Sequence, residues 1–86
     1  MENKFKQIIN ETIKKVVQIE ADENVNLCST LYGIPAYLFL YIICDLEEQT
    51  HIPISRILEK NTYEIFTISG LAKEMVRYQN DLSNGV

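Results

Sequence analysis

The sequence predicts an all-α domain, a four-helix bundle with three longer helices and one short helix. Three observations predict it. Apolar residues recur at three- and four-residue spacing from Phe5, a glycine and a proline introduce a long apolar segment at Pro35, and a capping threonine opens a last periodic segment at Thr67. The chain of 86 residues is enough for one modest core. With 47% apolar and 23% charged residues it is too apolar for a disordered chain. The expected organisation is a single domain over residues 1–79 and a flexible tail over residues 80–86.

The first helix runs from Phe5 to Ile19. Phe5, Ile8, Ile9, Ile13, Val16 and Val17 form one stripe that Thr12 completes, and Asn3 can cap it by accepting from a free amide of the first turn. Residues Ala21 to Thr30 have no sustained period and read as a long loop, anchored to the core by Val25, Leu27 and Leu31. Gly33 makes a turn and Pro35 starts the second helix, because the fixed φ of proline suits a first helical turn and its missing N–H costs nothing there.

The second helix is expected from Pro35 to Gln49, with Thr50-His51-Ile52-Pro53 closing it. Its β-branched and aromatic residues would also suit a buried strand, but its length and its Asp45-Leu46-Glu47-Glu48 ending favour a helix. It is apolar on nearly every face, the pattern of a buried helix. A domain this small rarely encloses a helix completely, so some exposure is expected.

Ser55 is the candidate cap of a short helix through Ile57, Leu58 and Glu59. For the last helix, Thr67 is the cap and Phe66 can pack on Leu71, a hydrophobic staple. That helix is expected to end near Tyr78, leaving Asn80 to Val86 frayed. The expected core joins Phe5, Ile8, Ile9, Ile13, Val16, Leu40, Leu46, Ile54, Leu71 and Met75.

A net charge of -4 argues against nucleic acid or a membrane surface as partner, since both need a basic footprint. Lys4, Lys6, Lys14 and Lys15 are interrupted by Glu11 and Glu20 and read as a solvated helix face. No apolar segment follows the polar start Met1-Glu2-Asn3-Lys4, and the run from Ile34 to Cys44 is well short of the ~20 residues a membrane span requires. A cytoplasmic protein is expected, with Cys28 and Cys44 as reduced thiols and Cys44 a small core side chain. The two cysteines lack further ligands at zinc spacing, and His51 reads as a surface residue. No catalytic residue, metal or cofactor is expected, and the chain does not read as an enzyme.

Gly33 to Leu46 reads GIPAYLFLYIICDL, and Leu46-Glu47-Glu48 follows ten residues after Ala36. Ile52 and Ile54 alternate in the next loop, and Phe66-Thr67-Ile68-Ser69-Gly70-Leu71 opens the last helix. In this order and spacing, from about Lys4 to Tyr78, the chain resembles the acyl carrier proteins. That family has Asp-Ser-Leu where Pro35, Ala36 and Tyr37 stand here, and its serine carries the phosphopantetheine arm. An alanine methyl has no oxygen to be phosphorylated, so the resemblance implies a carrier body without the cofactor.

Leu38 and Tyr41 occupy positions that are usually acidic in the family and that steer carriers to basic partner enzymes. The resemblance therefore implies an apolar partner-binding surface of Tyr37, Leu38 and Tyr41. Its partner would be a protein, such as a peptide-modifying enzyme, or a second copy of the chain. The chain looks like the small acyl-carrier-related proteins of bacterial peptide-maturation systems. Two other readings stay open: a working carrier with its attachment serine elsewhere, of which Ser29 and Ser69 are the only faint candidates, and a self-associating helical protein unrelated to carriers.

Overall fold

The computed structural model describes residues 2–29, 32–61 and 65–84, the side chains of 82–84 excepted. Among them are four helices and no strand: α1 (Glu2–Val17), α2 (Ala36–Thr50), α3 (Ile54–Lys60) and α4 (Ile68–Asn84). Three are long and the third in order is short, as the sequence predicts. α1 packs against both α4 and α2, and α3 contacts both α2 and α4.

The stripe on α1 points inward, with Phe5, Ile9, Thr12 and Ile13 buried. Thr12 is the buried polar residue on this face. Its hydroxyl donates to the Ile8 carbonyl at 2.8 Å and accepts from Gln49 Nε2 at 3.0 Å, so both α1 and α2 hold it. Leu46, Ile54, Leu71 and Met75 complete the expected core, with Ile8 and Val16 packed at its edge.

Leu40 is the exception: the sequence assigns it to the core, and it is 64% exposed. The inward residues of α2 are Ile42 and Leu46, and Leu40 precedes Ile42 by two residues, about 200° around the helix. Burying Ile42 turns Leu40 outward.

Several helix ends differ from their sequence-based limits. α1 begins at Glu2, which puts Asn3 inside the first turn and not at the cap. It ends at Val17 because Gln18 adopts a left-handed conformation (φ 62°) while its N–H still reaches the Lys14 carbonyl at 2.9 Å. His51 terminates α2 in the same way, with φ 57° and a 2.8 Å bond to the Glu47 carbonyl. Neither is the glycine that usually marks such a stop. The α2 stop still falls in the Thr50-His51-Ile52-Pro53 segment expected to close it, whereas α1 ends at Val17, two residues before the expected end at Ile19.

Pro35 is the N-cap of α2 and Ala36 its first residue. Ser55 does not cap α3; its N–H and hydroxyl both donate to Glu47 Oε2, at 3.1 and 3.0 Å.

Thr67 caps α4 as expected, its Oγ1 accepting from the Gly70 N–H at 2.8 Å. A side chain at Gly70 would place its Cβ 2.8 Å from the Ile65 carbonyl oxygen, so the cap is built around a residue without one. Phe66 is buried with Leu71 and meets the ring of Phe39 at 5.1 Å between centroids. With no proline or glycine between Gly70 and Gly85, α4 continues past Tyr78 to Asn84. The last two residues of the expected 80–86 tail lie outside the described residues.

The loop between α1 and α2 is tied to the start of α4. Leu27 is fully buried and its N–H donates to the Phe66 carbonyl at 2.8 Å, while the Ser69 N–H donates to the Glu23 carbonyl at 3.0 Å. Val25 is half-buried, and Leu31 lies outside the described residues. Lysines of α1 pair with nearby carboxylates: Lys6 with Glu23, Lys14 with Glu20, and Lys15 with Asp45 of α2 at 2.6 Å. No helix among the described residues is long and apolar enough to cross a membrane.

Candidate functional site

The helix that contributes Ile42 and Leu46 to the core also carries the large exposed apolar side chains found among the described residues. Tyr37, Leu40 and Tyr41 are 61%, 64% and 63% exposed, and the exposed Cys44 extends their line along α2. Positions 37, 40, 41 and 44 share one face at three- and four-residue spacing, opposite Ile42 and Leu46. They line a shallow, almost wholly apolar depression. The exposure is contiguous, in contrast to leucines scattered singly over a surface.

Beside it, sharing Tyr41 and Cys44, runs a more polar groove that also includes Lys15, Val16, Leu38, Asp45 and Glu48. Leu38 lies half-buried in this groove. Of the three residues expected to form a partner surface, Tyr37 and Tyr41 stand fully on the face and Leu38 lies at its edge. Leu40 and Cys44, both assigned to the core by the sequence, take the remaining places. Cys44 follows Ile42 by two residues and is turned outward for the same reason as Leu40.

Ala36 is exposed as the first residue of α2, with no side chain capping the helix amides there. Ser69 lies in the first turn of α4, and Ser29 in the loop before α2. Partial desolvation pushes the Cys28 thiol above its ordinary value, the opposite of what a nucleophilic cysteine needs. His51 is exposed at the end of α2. Among the described residues no group of three or more His, Cys, Asp or Glu side chains could hold a metal ion.

No protein-family model, curated protein or solved structure matches this chain. The face on α2 therefore stands on its own chemistry: an apolar centre of two phenols and a leucine, a free thiol, and acidic side chains at one end.

The Leu46-Glu47-Glu48 segment divides three tasks. Leu46 is fully buried, Glu47 braces the first turn of α3 through Ser55, and Glu48 ends the exposed stripe. Charge-assisted bonds to a helix-opening amide act as a cap does, so Glu47→Ala is expected to lower stability by about 1 kcal/mol. Glu48→Ala should stay within about 0.5 kcal/mol of the native chain. Urea denaturation of the two variants checks the contrast.

The sequence carried one signal for the outward face. Glu48 lies four residues after Cys44 and seven after Tyr41, so it continues the stripe of Tyr37, Tyr41 and Cys44 with a charge. The inward stripe of Phe39, Ile42 and Leu46 carries none.

Proposed function

We propose that this protein is a non-catalytic binding module of acyl carrier type that works without a phosphopantetheine arm. The observation that carries the reading is Ala36, exposed at the first position of α2 where a carrier holds its modified serine, next to an apolar face in place of acidic docking residues. The helix order of long, long, short and long supports it. The work of the chain is then done by surface contact with a protein, through Tyr37, Leu40 and Tyr41, with Leu38 at the margin.

The resemblance in sequence supplies the setting, a cytoplasmic role in bacterial peptide maturation. Modifying enzymes and a short precursor peptide encoded beside the gene would support that setting. Ketosynthase or acyltransferase genes there would favour a working carrier.

The direct test is the intact mass of the protein after incubation with coenzyme A and a broad-specificity phosphopantetheinyl transferase. The mass is expected to stay unchanged. A gain of one phosphopantetheine would overturn the reading, and peptide fragmentation would then locate the attachment residue.

A further inference from the structure

The exposed stripe of α2 is symmetric about its own midpoint. Tyr37 and Cys44 lie equally far on either side of a point between Leu40 and Tyr41, and the four positions face one way. Laying a second copy of the helix on this one in the antiparallel sense matches Tyr37 with Cys44 and Leu40 with Tyr41, twice over. Such a self-matching patch is what a two-fold interface requires, where residue i meets j and j meets i.

Charge favours the same direction. The C-terminal half of α2 is acidic, with Asp45, Glu47 and Glu48 and no basic residue in its last turn. Its N-terminal turn has no acidic residue and no capping side chain, so the partial positive charge of its amides is left for another partner. Asp45 is already paired with Lys15 and Glu47 with Ser55, which leaves the exposed Glu48; antiparallel pairing brings it beside the uncapped helix start of the other copy. Parallel pairing would instead set Glu48 against Glu48 and align the two helix dipoles.

We propose that the partner seated on this face is a second copy of the chain, paired α2 against α2 in antiparallel two-fold symmetry. This deepens the reading of α2 as a binding surface and rests on it. Each copy offers an apolar area on the order of 400 Å² through two tyrosines, a leucine and a cysteine. Two such areas fall in the range of weak, reversible complexes, so the pair forms and dissociates with concentration.

Disulfide trapping tests the geometry. In antiparallel pairing the two Cys44 residues are offset by about 10 Å along the helices, beyond the reach of a disulfide. Two residues at position 40 are offset by only about 1.5 Å. With Cys28→Ser as background, Cys44 alone is expected to give little covalent dimer on mild oxidation. Adding Tyr37→Cys should give a dimer closed by two 37–44 bridges. Leu40→Cys with both native cysteines changed to Ser should give a dimer with a single bridge. Circular dichroism confirms that each variant remains helical.

A strong Cys44–Cys44 dimer without the added cysteine would overturn antiparallel pairing in favour of parallel. No covalent dimer from either added cysteine, together with a monomer at the highest attainable concentration, would overturn self-pairing altogether. Neither result touches the arm-free reading, which fails only by a gain of phosphopantetheine.

Discussion

Leu46→Ala is expected to destabilise the protein by about 3 kcal/mol, while Leu40→Ala, less than two turns earlier in the same helix, changes stability by under about 0.5 kcal/mol. Leu46 is fully buried, and its truncation leaves a cavity that α1 and α3 cannot close without moving. Leu40 is 64% exposed and already solvated, and alanine is the better helix former. In a domain of this size the Leu46 variant should melt roughly 15 °C lower. Both melts belong at low protein concentration, where association adds nothing to stability. Equal losses from the two leucines would mean that α2 is enclosed on both faces.

That contrast also shows where sequence reasoning stopped. In α1 the apolar stripe alternates with Lys4, Gln7, Glu11 and Lys14, so polarity marks the outer side and the buried set could be read directly. From Ala36 to Cys44 the second helix has no polar marker except the tyrosine hydroxyls, and two apolar stripes interleave. Hydrophobicity cannot say which of them turns inward. Packing decides it, by engaging Ile42 and Leu46, with Phe39 against Phe66.

Helix boundaries followed the same logic. The Thr67 cap was legible because its hydroxyl has one geometric option three residues on. The Ser55 cap was not, because a carboxylate from α2 competes for the same serine. Gln18 stops α1 in a conformation that glycine or asparagine would have advertised, whereas the stop of α2 at His51 falls where the following Ile52-Pro53 led the sequence to close it.

For the candidate site, Tyr37 and Tyr41 came from the register of the resemblance, which also supplied Leu38. A register counted along a sequence gives the angle of a residue around its helix, but not the reach of the neighbouring helix. α1 approaches through Lys15 and Val16 and half-covers Leu38, leaving Leu40 the more open position.

The second large effect concerns association. In the double variant Leu40→Glu, Tyr41→Glu, the centre of the apolar stripe becomes acidic, and antiparallel pairing would press the new carboxylate at position 40 of each copy against the one at position 41 of the other. Glutamate is a good helix former, and both positions are solvated, so each change should cost the monomer no more than about 0.5 kcal/mol. The interface loses both central anchors, and removing one such anchor alone typically weakens binding by more than about 1 kcal/mol, roughly fivefold or more. The expected variant keeps the helical signal and melting temperature of the native chain at low concentration and no longer associates. A cooperative loss of structure would instead place both side chains in the core.

Sedimentation equilibrium of the native chain and this double variant, run side by side from dilute to concentrated protein, tests the outward face of α2 as the working surface most directly. The native chain should rise reversibly from the monomer mass toward twice that mass while the variant stays at the monomer mass. Equal association of the two proteins would contradict the assignment of that face, and a native chain that stays monomeric throughout would overturn self-pairing through it.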